Sequence, residues 1–188
     1  MRRPLTLVMT AAVVAALAAG CGSDSSSKDV PSPATPVSAV PSFPDQGISF
    51  KAPDGWALDA GRAPLVATVQ AGPSTVAVWR YPRTEKLPVT KDELKAARDA
   101  LVKAAQARDS TFQVIKAASA TIAGKPAVQI RARETIAGLL RTVRSTHIYS
   151  ARSEIVIDAY SDTDNFRAVD AQVFRPLLKT FEVHAPRA

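Results

Sequence analysis

One cysteine, two histidines and eight glycines among 188 residues close off several kinds of chemistry. A single cysteine cannot build a disulfide framework, and with so few histidines it cannot complete a Cys/His metal cluster. The glycines are scattered, and no G-x-G-x-x-G or Walker pattern cradles a phosphate, so nucleotide binding has no support. No G-x-S-x-G elbow presents a nucleophilic serine. No apolar run reaches the roughly 18 residues of a spanning helix. Wholesale disorder is excluded as well, since 46% of residues are hydrophobic and 22% charged. No cofactor and no metal are expected.

The N-terminus carries the most specific signal. Arg2 and Arg3 form a positive patch, and Leu5 to Ala19 is an apolar stretch of 15 residues, the length of a signal core rather than a membrane span. Leu17-Ala18-Ala19-Gly20-Cys21 follows. Small residues before a cysteine resemble the lipobox of bacterial lipoproteins. That resemblance implies cleavage of residues 1–20 and acylation (palmitate-type) of Cys21. The alternative is an ordinary secretory signal cut near Ala19. An acylated Cys21 would hold the chain on the outer face of the cytoplasmic membrane, since each buried methylene contributes about 0.8 kcal/mol and two chains give stable anchoring.

Without Arg2 and Arg3, 22 basic residues stand against 17 acidic ones, a balance of +5. That modest excess names no partner, and an extracytoplasmic location argues against nucleic acid. Residues 21–47 are rich in serine and proline, with five prolines from Pro31 to Pro44. They are expected to be a disordered tether. Its 26 residues after Cys21 would span about 30 Å as a coil and at most about 80 Å as polyproline II. Packing on the domain is conceivable only near Val40 and Phe43.

Residues 48–184 are expected to form a single domain, with 185–188 as a tail. Ile48 to Lys51 alternates apolar and polar as a strand does. Further strands are expected over 65–71 and 75–81, with Ala77, Trp79 and Tyr81 on one face and Val76 and Val78 on the other. A strand apolar on both faces needs cover on both. Thr90-Lys91-Asp92-Glu93 reads as a capping box, followed by Leu94, Ala97, Leu101 and Ala104 at helical spacing. Strands return over 112–121, 127–134, 140–150 and 154–160. Ser161 to Asp164 reads as the cap of a last helix, which Pro176 should restart near Arg175. The order predicts an α+β fold, an antiparallel sheet with a helix on each face.

These signals resemble the PsbP-like and Mog-type α/β/α sandwich, especially the LpqN-type lipoproteins of actinobacteria. The residues that carry the likeness are Ile48-Ser49-Phe50 with Pro53-Asp54-Gly55-Trp56, the middle helix, Ile122 to Ala127, and Phe174 to Phe181. The resemblance implies a binding or accessory module and transfers no chemistry.

Of the two histidines His184 falls at the frayed C-terminal end, and His147 is the one on an expected strand, with Glu154 and Asp158 on the next, so a His–carboxylate pair is conceivable. Ser145 and Ser150 read as ordinary strand and turn residues. Asp162-Thr163-Asp164-Asn165 departs from a calcium loop, because Arg167 stands where glycine is needed. Trp56, Trp79 and Tyr81 are core residues or pocket walls. Arg131, Arg133, Arg141, Arg144 and Arg152 fall on consecutive strands. The first four are a candidate anion-binding surface, and the plainer reading is a solvated sheet face.

The leading expectation is a membrane-anchored, monomeric, non-enzymatic binding or accessory lipoprotein of the cell envelope. Its partner would be an envelope protein or an anionic ligand. The alternatives are a carrier for a lipid or other amphiphile and, behind it, a small hydrolase. A buried Ser or Asp bonded to His147 would favour the hydrolase, and an apolar cavity the carrier.

Overall fold

The computed structural model describes residues 40–187; Cys21 and the signal and lipobox residues lie outside them. Seven strands form one antiparallel sheet. They are β3 (Ala57–Ala60), β4 (Leu65–Ala71), β5 (Ser74–Pro82), β6 (Gln113–Ile122), β7 (Lys125–Ile136), β8 (Leu139–Ser150) and β9 (Ser153–Asp162). Their spatial order is β3-β4-β5-β9-β8-β7-β6. A small second sheet joins β1 (Ser42–Phe43), β2 (Ile48–Ser49) and β10 (Glu182–Val183), with β2 between the other two.

Local chemistry explains the meander. Two-residue turns join β6 to β7, β7 to β8 and β8 to β9. Their residues have positive φ throughout: Ala123 and Gly124, Ala137 and Gly138, Ala151 and Arg152. Turns of this hand match the twist of the strands they join. The first two follow the usual X-Gly rule; the third does without glycine. This pins the register of β6 to β9, and β9 returns to pair with β5 from Thr75↔Tyr160 to Pro82↔Ser153.

The two faces of the sheet are filled unequally. One face packs against α2 (Phe166–Val169), a single π turn (Asp170–Phe174) and α3 (Arg175–Lys179). The helical run is unbroken from 166 to 179, and Pro176, unable to donate a backbone hydrogen bond, follows directly on the π turn, whose Arg175 amide bonds Asp170 O. This face holds 22 buried apolar residues in one cluster, with Trp56 edge-on to Phe174 at 6.4 Å and Phe50 stacked on Phe181 at 5.7 Å. The other face carries α1 (Lys91–Arg108) and a cluster of only seven. The α2–α3 face is therefore the main core.

The expected capping box of α1 is present: Thr90 Oγ1 accepts from the Glu93 amide, and Glu93 accepts from the Thr90 amide. Of the apolar residues in α1, only Leu94 is fully buried; Leu101 and Ala97 are partly covered. The helix is pinned at its N-terminal end, and its second half rides above the sheet.

Two local expectations differ. Asp162 closes β9 and forms an ion pair with Arg141, and Asn165 occupies the N-cap of α2 with no side-chain cap bond. Residues 42–47 belong to the fold: Phe43 pairs with Ile48 and stacks near Phe50, and the Arg187 amide bonds Pro44 O. Arg80 fastens this corner, buried and donating to Gln46 O, Ala151 O and Ser153 Oγ.

Candidate ligand-binding site

A cavity of about 470 Å³ lies under the second half of α1. Strand register builds its floor. Ser145 and His147 stand two apart on β8, so both face α1. On β9, Asp158 is directly opposite Ser145, and Val156 opposite His147. On β5, Trp79 is opposite Val156 and Tyr81 opposite Glu154. Leu101, Ala104 and Arg108 of α1 line it from above.

A chain of polar contacts runs along this floor. The His147 ring meets Glu154 Oε1 through Nδ1 at 2.7 Å and Ser145 Oγ through Nε2 at 3.0 Å. Arg83 donates to the other Glu154 oxygen. Burial by itself would raise the Glu154 carboxyl, but the bonds from His147 and Arg83 outweigh it and hold the group below its ordinary range. Glu154 is thus a carboxylate, which only accepts, so Nδ1 of His147 carries a proton. In the neutral ring, Nε2 then accepts from the Ser145 hydroxyl.

Asp158 is the exception in this network. Its Oδ1 is shut off from solvent and has no hydrogen-bond partner. Burial is the largest influence on its carboxyl and pushes it upward. Glu134, also on the wall, is raised by burial and by the charge of Asp158. Tyr149, beyond the floor, is raised by burial and by Glu154.

A second, shallower groove of about 400 Å³ adjoins the cavity, sharing Arg83, Glu154, Leu101 and Ala104. Its other walls include Leu87, Pro88, Ala97 and Ala100, so it is the more apolar of the two.

The sequence pairs His147 with Glu154 or Asp158, and the structure bonds it to Glu154. Ser145, read as an ordinary strand residue, is the one that meets the ring. Its i, i+2 spacing from His147 is the signal that points to it. Trp79 and Tyr81 line the cavity, whereas Trp56 is core. The arginines are divided. Arg131 stands opposite Arg144 on the α2–α3 face, and Arg133 is exposed opposite Thr142. Arg144 grips Asp170 through two bonds of 2.6 and 2.8 Å, and Arg175 approaches the same carboxylate at 3.4 Å. Arg141 is on the opposite face, ion-paired to Asp162. Arg152 is in the last turn. Arg131 Nε is buried without a partner. Among the described residues no group of three or more His, Cys, Asp or Glu could hold a metal, and no helix is long and apolar enough to cross a membrane.

Neither a family model nor a curated protein matches the sequence. Solved structures do match in three dimensions. The cyanobacterial PsbP (CyanoP) of Synechocystis has a TM-score of 0.59 at 14% identity, over 78% of this chain and 92% of that one. LpqN of Mycobacterium tuberculosis, described as involved in cell envelope biogenesis, gives 0.53 at 21%, over 77% and 89%. The Saccharomyces cerevisiae Ran-binding protein Mog1p gives 0.52 at 9%, over 80% and 97%. At these identities the likeness is one of fold, and the chain has the α+β sandwich architecture of PsbP and Mog1p.

Proposed function

We propose that the chain is an extracytoplasmic lipoprotein of LpqN type, cut before Cys21 and anchored there. Its domain would act as a non-enzymatic binding module of the cell envelope, taking a small ligand between α1 and the sheet. The observation that carries this reading is the 470 Å³ cavity, a size that suits a small molecule. Its polar floor includes the Asp158 carboxylate, which has no ion-pair partner among the described residues. The LpqN likeness supports the envelope setting. The adjoining apolar groove extends the reading to an amphiphilic ligand, with its polar end on the floor and its apolar part along Leu87 and Ala97.

Two experiments test it. Cells making wild type and Cys21→Ala are fed labelled fatty acid and fractionated. Label on wild type alone, with the variant released from the membrane, is the expected result; an unlabelled wild type contradicts the anchor. Protein recovered from envelope is then extracted and its small molecules identified by mass spectrometry. A bound compound lost on Leu101→Trp, which fills the space under α1, is expected; identical extracts from both proteins contradict cavity binding.

A second reading has one observation in its favour. Ser145, His147 and Glu154 have the order and hydrogen-bond spacing of a nucleophile, a base and an orienting acid. However, β8 is an interior strand, paired on both sides at Ser145. Its backbone amides are committed to the sheet, so this strand supplies no oxyanion site. Hydrolysis of short p-nitrophenyl esters by wild type that Ser145→Ala abolishes would replace the binding reading with this one.

A further inference from the structure

We propose that the cavity takes a ligand bearing a primary ammonium group, with the Asp158 carboxylate as its acceptor and neighbouring aromatic residues around it. This deepens the proposed function and rests on the cavity being a binding site.

The argument starts from which charges are already spent. Glu154 is held between Arg83 and His147, and Arg141 is taken by Asp162. That leaves Asp158 and Glu134 as the carboxyls on the wall without an ion pair of their own; the basic groups facing them are Arg108, at the exposed end of α1, and Arg141, opposite Glu134 on β8 and already bonded to Asp162. Both carboxyls are lifted by burial, and the charge of Asp158 raises Glu134 further. A cation placed between them relieves both effects. A neutral hydroxyl could bond the Asp158 carboxylate but would leave the repulsion, and an anion would add to it.

Shape and chemistry agree with a cation. Trp79 on β5 is diagonal to Asp158 across the paired strands, because Ala77 is the residue directly opposite. Tyr81 and Phe112 also line the space. Aromatic faces attract a cation most when water is excluded. Leu101, Ile130, Val143 and Val156 supply apolar contact for the carbon skeleton that carries the ammonium. An ammonium has three donors. The Asp158 carboxylate takes one, and the Ser145 hydroxyl, opposite on β8, is within the same floor to accept another.

The probes are butylammonium, tetramethylammonium, butanol and butyrate, titrated calorimetrically into the full chain purified from membranes in mild detergent. Butylammonium is expected to bind at least tenfold more tightly than butanol or butyrate. It should weaken at least tenfold in Asp158→Asn, while Arg133→Gln on the opposite face leaves it unchanged. Tetramethylammonium, which has no donor, should bind more weakly than butylammonium. Equal butylammonium affinity in wild type and Asp158→Asn overturns the assignment, as does binding of no probe. If butanol binds best and Leu101→Trp blocks it, the ammonium assignment falls and the binding cavity stands. If Leu101→Trp leaves every bound probe in place, binding lies elsewhere and both fall.

Discussion

Asp158 on β9 stands directly opposite Ser145 on β8, yet its Oδ1 is sealed from solvent with no hydrogen-bond partner. A buried, unsatisfied carboxylate oxygen costs the fold about 1–3 kcal/mol. Replacing Asp158 by Asn removes the charge and keeps the shape. Because burial raises this carboxyl in the folded state, its relative contribution is most favourable below the unfolded pKa. That contribution is lost as pH rises through the folded value. Asp158→Asn is therefore expected to gain about 1 kcal/mol at pH 7, shrinking toward zero near pH 3. Urea denaturation at both pH values measures it; a loss of stability at pH 7 contradicts the account.

Glu154 has the opposite sign. Its carboxyl is depressed by His147 and Arg83 despite burial, so its stabilisation is present above the unfolded pKa and is lost as pH falls through the folded value. Glu154→Gln leaves Arg83 and His147 without their acid and should cost about 2–3 kcal/mol at pH 7. The difference from wild type should narrow on acidification. A constant difference from pH 7 to pH 3 would show that Glu154 acts by packing alone.

The pair of Arg144 and Asp170 joins β8 to the π turn through two short bonds, with side-chain exposures of 15% and 8%. Removing one partner of so buried a pair costs about 3–5 kcal/mol. Arg144→Met and Asp170→Leu should each approach that range, and the double variant should cost far less than their sum. Additive losses in a double-mutant cycle would show that the two residues do not work as a unit.

The turn from β8 to β9 places Ala151 and Arg152 at φ of 48° and 55°. Left-handed backbone costs a non-glycine residue roughly 1–2 kcal/mol. Arg152→Gly matches the X-Gly pattern of the two preceding turns and should stabilise the protein by up to about 1 kcal/mol. Thermal unfolding checks it, and a lower melting temperature runs against it.

Much of this fold is legible in the sequence because its signals are local. The Thr90–Glu93 box, the alternation from Ala127 to Glu134 and the Gly124 and Gly138 turns each act within a few residues. The two-faced β5 pattern shows that both sides of the sheet are covered. What the sequence conceals is how well each side is filled. Leu94 and Leu101 share one helical stripe, but only Leu94 reaches full burial; helix height over the sheet is a tertiary quantity. The arginines show the limit of proximity arguments. An even spacing places Arg131 and Arg133 on one face, whereas Arg141 and Arg144, three apart, must lie on opposite faces. Neither their carboxylate partners Asp162 and Asp170 nor the bond from Ser145 to His147 follows from composition.

The central claim is that the space under α1 is a ligand site. The direct measurement is amide chemical-shift mapping of the full chain against a small-molecule extract of its native envelope. The account predicts that perturbations cluster at Ser145, His147, Val156, Asp158 and Leu101, and that they weaken in Asp158→Asn. Perturbations confined to Arg131, Arg133 and Arg144 on the opposite face, or none at all, would contradict it.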